Sequence, residues 1–594
     1  MKKPLLSTRA WALAAAGVLA AIAWLETASN NPLGTGPFAL AWLAQTHPVS
    51  SWIALTAFCL LIALTGRLFF SAIAVGLSYA TIAFASWTKI DYLDAPLTLA
   101  DVRFFASNLA ENSVLFRAYP DLGLMLAGAI LLILLTSILG FRVEPGRGIR
   151  LRLLASLALA SLAGCAWMAN SSSINTALPR MAVLGDDRDQ SNGHTQLHNF
   201  KVTGERRISD LIEIFFTDAS GNFQMPERIP QTRFTPAASP RPPAVMPDIF
   251  AVLEESTFDP TILQACEGQA VCVSELFKGS GPGREAGPLI THTTAGGTAL
   301  SEFTFLTGLD WRIFGPGGAL APLNLASHMQ ATLPKHLQTL GYQTIAIYPV
   351  GRNFLNAREA YGHYGFEHFF GIEDLDLGND WKTLHDSQVF DKALEAIEKK
   401  RDGRPLFVFL LTIRNHGPHA DTHAELPQPV APALAALPAP LADYLQRQQD
   451  SETALAALGN RWLESERPRV LAWFGDHQPL FATKARRAAG YGPAHFSRPP
   501  TDEQLRYATW YAMTTNQPSS QQKAPAGGTP SNAALDIAYL GTRLLAFSGL
   551  PPRASDAATQ QIQAECPLGI ALCSATGTVR EYLSFRVWEL QEIR

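Results

Sequence analysis

The stretch Trp473-Phe474-Gly475-Asp476-His477-Gln478-Pro479 follows an apolar run, Val470-Leu471-Ala472. A strand ending in Gly-Asp-His sets a carboxylate and an imidazole together at the carboxyl edge of a sheet, where open α/β sheets build their sites. Oxygen from one and nitrogen from the other can bind a single divalent cation. More carboxylates, Glu254 and Glu255, directly follow the apolar run Asp248-Ile249-Phe250-Ala251-Val252-Leu253. A third element is the loop Thr293-Thr294-Ala295-Gly296-Gly297-Thr298, leading into Ala299-Leu300-Ser301-Glu302-Phe303. It reads as the entry to a helix, with Thr298 at or near the N-cap, where N–H groups and the helix dipole favour an anion. A threonine hydroxyl is a weak nucleophile alone, but beside a divalent cation it loses its proton far more readily. The three elements together are equipment for attack on phosphorus.

The pattern also says what positions them. Apolar runs at 248–253, 344–348, 406–411 and 470–474 read as buried strands. Helical segments are expected at 330–340, 387–401 and 441–465. Strands alternating with helices predict a parallel sheet covered on both faces. Each strand runs into polar residues: Glu254-Glu255, Tyr348 through Asn353, Arg414-Asn415-His416 and Asp476-His477. Four such edges point to one crevice. Asp386 is expected to cap the helix after His385, and His292 lies near the threonine loop. His363 and His368 fall in an aromatic run read as packing.

A chain of 594 residues exceeds one domain, and a net charge of −4 argues against nucleic acid as a partner. Long apolar runs concentrate before residue 170. Five segments, about 10–27, 50–66, 68–87, 122–140 and 152–170, have the length of a membrane span. Lys2, Lys3 and Arg9 precede the first, Arg67 separates the second and third, and Arg142, Arg147, Arg150 and Arg152 gather between the fourth and fifth. The positive-inside rule then places the N-terminus in the cytoplasm and everything after residue 170 outside. The expected organisation is a transmembrane domain over 1–170, a connecting segment with a proline-rich linker over 171–245 and a catalytic domain over 246–594. In an exported domain, the close pairs Cys266, Cys272 and Cys566, Cys573 read as two short disulfides.

Four motifs, in this order and spacing, carry a resemblance: Leu253-Glu254-Glu255-Ser256; Gly297-Thr298 with Ser301-Glu302-Phe303; Arg414-Asn415-His416-Gly417-Pro418; and Phe474-Gly475-Asp476-His477. Together they resemble the lipoteichoic acid synthase and phosphoglycerol transferase branch of the alkaline phosphatase–sulfatase superfamily, over roughly 246–550. Phosphoethanolamine transferases are more distant kin. The resemblance implies an extracytoplasmic α/β domain, a mostly parallel sheet sandwiched by helices, tied to a bacterial inner membrane by a five-helix anchor. It implies a divalent metal, manganese first and magnesium or zinc as alternatives, held by Glu255, Thr298, Asp476 and His477. Thr298 is then the nucleophile. Asn415 and His416 lie near the transferred group, and His416 protonates the leaving alkoxide or orients the acceptor.

The chain departs from that branch at Leu355 and Ala357, where the synthases carry Trp and Arg against phosphoglycerol. Arg352 or Arg358 is the expected substitute contact. None of the six cysteines stands in the Cys-x-Pro-x-Arg context of formylglycine sulfatases. The implied activity moves a phosphoglycerol head group from phosphatidylglycerol to an envelope glycan or lipid through a phospho-threonine. The alternatives are a phosphoethanolamine transferase, a metal-dependent phosphodiesterase or sulfatase-like hydrolase, and a non-catalytic membrane interaction protein.

Overall fold

The computed structural model describes residues 48–93, 97–99, 101–102, 120–145, 151–160, 215, 225–238 and 240–594, apart from 295, 379–382, 484–504, 518–532, 571–572 and 574. They divide into two compact units, the first within Met1–Gly193 and Phe200–Ser220, the second holding Gly221–Arg594.

In the first unit, helices Pro48–Thr65, Leu68–Leu93 and Pro120–Val143 occupy the places of the second, third and fourth expected spans. The span at 10–27 lies outside the described residues, and the fifth is described as helix only over 151–160. Among the described residues one helix, Leu68–Lys89, is long and apolar enough to cross a membrane. A five-span anchor therefore stays an expectation. The second and third of the expected spans meet in a tight turn at Gly66-Arg67, where Gly66 takes φ 67° and joins two helices. The Glu144 carboxylate accepts from the N–H groups of Leu68 and Phe70, both at 2.9 Å, and so caps the second of them.

The second unit is built on one mixed sheet of eight strands. In chain order they are β1 (Asp248–Glu254), β2 (Arg284–Ile290), β3 (Gln343–Tyr348), β4 (His368–Gly371), β5 (Leu406–Leu411), β6 (Arg469–Gly475), β7 (Ala508–Thr515) and β8 (Leu535–Asp536). Their order across the sheet is β4-β3-β5-β1-β6-β7-β2-β8. The four runs read as strands from sequence are β1, β3, β5 and β6. They lie side by side, mutually parallel, in the middle of the sheet, with every residue of β1 buried. The sheet is not parallel throughout, because β7 runs antiparallel to both β6 and β2.

Successive side chains of a strand point to opposite faces. Phe305 of the helix Thr298–Thr307 packs on Phe409 of β5 and Phe474 of β6, with centroids 5.6 and 4.7 Å away. Trp462 of the helix Ala439–Leu463 meets Phe250 of β1 edge-on at 5.2 Å. Phe250 sits in register with Val408, one residue out of step with Phe409. The two helices thus cover opposite faces of the sheet. Two disulfides, Cys266–Cys272 and Cys566–Cys573, close short loops.

The proline-rich segment does not hang free of its domain. Phe234 is buried against Tyr582 and Phe585, and the Ile229 N–H donates to Ser584 Oγ at 2.7 Å. Proline fixes φ, so a segment of this composition loses little entropy when it docks.

Candidate active site

Parallel strands β1 and β6 are paired so that Glu254 stands opposite Gly475. The next residue of each chain, Glu255 and Asp476, therefore leaves the sheet at the same edge. Gly475 is required there, because a Cβ would run into the Thr257 carbonyl oxygen. After Glu255 the backbone turns sharply at Ser256, a non-glycine residue at φ 50°. That turn is held from the neighbouring strand end, where the Ser256 N–H donates to Asp476 Oδ1 at 2.7 Å, and locally, where its hydroxyl donates to Glu255 Oε1 at 2.8 Å. The Tyr444 hydroxyl donates to the Ser256 carbonyl at 2.9 Å from the helix behind.

The glycine loop brings in the third element. Gly297 is the N-cap and Thr298 the first residue of a helix ending at Thr307. A Cβ on Gly297 would strike the Thr293 hydroxyl, so the loop closes only with glycine there. Thr298 Oγ1 lies 3.3 Å from Glu255 Oε2 and 3.2 Å from His477 Nε2. His477 Nε2 also accepts from the Gly296 N–H at 3.1 Å. Ser301, one turn on, donates to the Asp476 carbonyl at 2.7 Å and ties the helix to β6. Four residues expected to act together, Glu255, Thr298, Asp476 and His477, are brought into one cluster.

The cluster fits a divalent cation. Glu255, Asp476 and His477 each offer a ligand atom, all within 4.8 Å of one another. Glu255, Asp476 and His477 are at most 1% exposed. Asp476 Oδ2 is buried and accepts no hydrogen bond from the described residues, though His477 Nε2 lies 3.1 Å away. Burial, and then the adjacent Asp476 charge, push the Glu255 carboxyl above the usual range. A cation among these oxygens relieves both costs. Two carboxylates, an imidazole and a hydroxyl are the donor chemistry of manganese, magnesium or zinc.

The remaining expected residues divide. Glu254 turns from the cluster toward Thr412, which donates to it at 3.3 Å. His416 follows β5, the neighbour of β1, and burial pulls its pKa down. Its ring Nδ1 lies 2.5 Å from the Gly417 carbonyl. Asn415 is buried, and its amide donates to Thr257 at 3.0 Å and accepts from Ser451 at 3.5 Å. Arg352 faces acids, 3.1 Å from Asp374 and 3.6 Å from Glu373. Arg358 is exposed and, with Asn353, Asn356, Glu359 and His363, lines an open cavity of about 470 Å³. His363 thus stands apart from the aromatic packing of Tyr361, Tyr364 and Phe366. Asp386 begins its helix rather than capping it, since His385 is the N-cap. The Asp386 carboxylate instead accepts from the N–H groups of Ile413 and Arg414, at 3.2 and 3.1 Å, and fixes the turn that carries His416.

Sequence reasoning named Ser256 only as part of a motif and passed over Tyr444; both shape the turn after Glu255. It also missed Asp536, which pairs with His292 from 244 residues away. Only the Glu-Ser pairing carried a local signal.

Comparison with known proteins finds similarity to a family over part of the chain. Residues 284–496 match the family model described as Sulfatase, a span holding Thr298, His416, Asp476 and His477. Over these residues the chain is similar to the Sulfatase family. It is 28% identical over 320 residues to an uncharacterized protein of Haemophilus influenzae, covering 51% of this chain and 54% of that protein. It is 26% identical over 192 residues to the capsular polysaccharide biosynthesis protein RkpI of Rhizobium meliloti, covering 32% of this chain and 34% of that protein. The chain therefore spans about a third to a half of these relatives. Among solved structures, it resembles the phosphoglycerol transferase GacH of Streptococcus pyogenes in complex with sn-glycerol-1-phosphate. That match has 16% identity and a TM-score of 0.41, over 59% of this chain and 90% of the other.

Proposed function

We propose that this protein is a membrane-anchored, metal-dependent phosphotransferase that moves a phospho-alcohol head group, phosphoglycerol in the first instance, from a phospholipid to a cell-envelope glycan or lipid. The observation that carries the reading is the Thr298 hydroxyl, at a helix N-terminus and within 3.3 Å of both Glu255 and His477. The resemblance implies a metal for hydrolases and transferases alike, so the cation does not choose between them. A threonine in the nucleophile position and the sequence resemblance favour phosphorus over sulfate.

A divalent cation held by Glu255, Thr298, Asp476 and His477 supplies a Lewis acid that makes the hydroxyl a better nucleophile and offsets charge on the phosphate. Thr298 Oγ1 forms the new bond to phosphorus. Glu255 Oε2 lies within hydrogen-bond reach to take its proton. The bond from phosphorus to the diacylglycerol oxygen breaks, and that oxygen leaves with a proton. The first turn of the helix Thr298–Thr307 favours the phosphate charge. An acceptor hydroxyl then displaces Thr298 from phosphorus and restores the free enzyme. His416, at the adjacent strand end, is assigned the proton traffic at the leaving and attacking oxygens.

The anchor supports a lipid donor, because a domain tied to the bilayer meets lipids at high effective concentration. The same reading places the catalytic domain outside the cytoplasmic membrane, over 246–594. The test incubates the full-length protein with manganese and fluorescent phosphatidylglycerol. Labelled diacylglycerol, with a glycerophosphate adduct on Thr298 by mass spectrometry, is the expected result. Cleavage of phosphatidylethanolamine alone would reassign the head group. Release without any need for an acceptor alcohol would favour a hydrolase, and no release from either lipid would overturn the reading.

A further inference from the structure

The C-terminal part of the chain has no role in the chemistry above, yet it grips both ends of the element that carries Thr298. At the near end lies His292, the second residue after β2 and six before Thr298. His292 is 3% exposed and takes φ 59°, a conformation costly for any residue but glycine. Its ring Nε2 meets the carboxylate of Asp536, itself 1% exposed, in a close buried pair. Asp536 is fixed in turn: its backbone pairs with Ile290 in the sheet, and Oδ1 accepts from the Ala538 N–H at 2.7 Å. Gly569 presses on the pair from outside, so closely that a Cβ there would run into both the Asp536 carboxylate and His292 Nε2. Gly569 sits inside the loop closed by Cys566–Cys573, and its N–H donates to the Cys566 carbonyl at 3.0 Å. Tyr539 ties the same carbonyl back to the helix after Asp536, also at 3.0 Å. At the far end, the buried Arg586 guanidinium donates to the Gly308 carbonyl and, at 2.8 Å, to that of Thr307.

A buried polar pair with strained backbone on one partner is a poor source of stability and a good device for fixing geometry. We propose that His292 and Asp536 are positioning residues for Thr298, and that the disulfide-closed loop around Gly569 is the clamp that holds the pair in place. They touch no substrate. They set where the glycine loop begins, and so where the hydroxyl stands against Glu255 and His477. The inference rests on the reading of Thr298 as a metal-binding nucleophile.

The test uses the full chain in detergent and reads the manganese affinity of the metal-free protein by calorimetry, alongside its melting temperature. Thr298→Ala sets the loss caused by removing the hydroxyl. Asp536→Asn weakens the pair without changing its size. Cys566→Ser with Cys573→Ser opens the clamp without touching the pair, and serves where the first variant does not fold. Both are expected to weaken manganese binding about tenfold, the scale at which partners behind metal ligands act. In lipid turnover, kcat should fall with KM nearly unchanged. Folded variants that bind manganese within about twofold of wild type, with only a lowered melting temperature, would overturn the proposal. Manganese is read without lipid, so a wild type that binds it but cleaves no lipid counts against the transferase reading alone. A wild type that binds no manganese overturns both.

Discussion

The Thr298 hydroxyl lies 3.2 Å from Nε2 of His477, across a gap set by a helix N-terminus on one side and a strand end on the other. Neither residue approaches the other through local sequence. Ser301 ties the two sides together, donating from the helix to the Asp476 carbonyl at 2.7 Å.

Thr298→Ala should therefore abolish transfer while leaving the fold intact. Thr298 is partly exposed and its methyl group makes little of the core. Loss of a nucleophile costs about a thousandfold or more in turnover. Diacylglycerol release and circular dichroism check this together. Turnover within tenfold of wild type would remove Thr298 from the chemistry.

Asp476→Asn should remove metal-dependent activity and lower manganese affinity about tenfold to a hundredfold. A chelator should inactivate wild type reversibly, with activity returning as manganese is added back. Apo wild type should gain thermal stability on adding manganese, since a ligand that binds only the native state stabilises it. Asp476→Asn should gain much less at the same concentration.

Glu302, on the threonine helix, offers a pH test on the metal-free protein. Burial, first of all, pushes its carboxyl up to about 8, so it stays protonated in the fold at neutral pH. An unfolded glutamate ionises near 4.5, so between these values the native state binds the extra proton. The stability this group contributes is complete below the lower value and is lost as pH rises toward the upper one. Glu302→Gln should thus raise the melting temperature at pH near 8, with the gain shrinking toward acid. A gain equal at all pH values would contradict the assignment.

Arg586→Met should destabilise the domain strongly. Glu592 would be left as a buried charge, and the carbonyls of Thr307 and Gly308 would lose their donor. Breaking one side of a buried pair costs about 3–5 kcal/mol. Denaturant unfolding measures it, and a cost below about 1 kcal/mol would show that the carbonyls find water instead.

The central sheet was legible because β1, β3, β5 and β6 are unbroken apolar runs ending in reactive residues. The outer strands were not. β2 contains Gly287 and Pro288, which speak against a strand interior. Proline is tolerated because β8 pairs only with Leu289 and Ile290, leaving that edge open beside Pro288. β8 has two residues and no periodicity to read. The cluster of Glu255, Thr298, Asp476 and His477 was legible from motif order. The His292–Asp536 pair was not, because two ordinary residues 244 positions apart carry no local signal. Arg352 drew attention as a cation in a polar turn, but sequence gave no warning of Glu373 and Asp374 beside it.

Arg586 stands 278 residues after Gly308, whose carbonyl it holds. A chain that emerges from the ribosome N-terminus first exposes the threonine helix long before this arginine arrives. The helix then waits without its far anchor while most of the domain is still being made. The threonine helix is thus held at its far end only once these late residues have joined the fold.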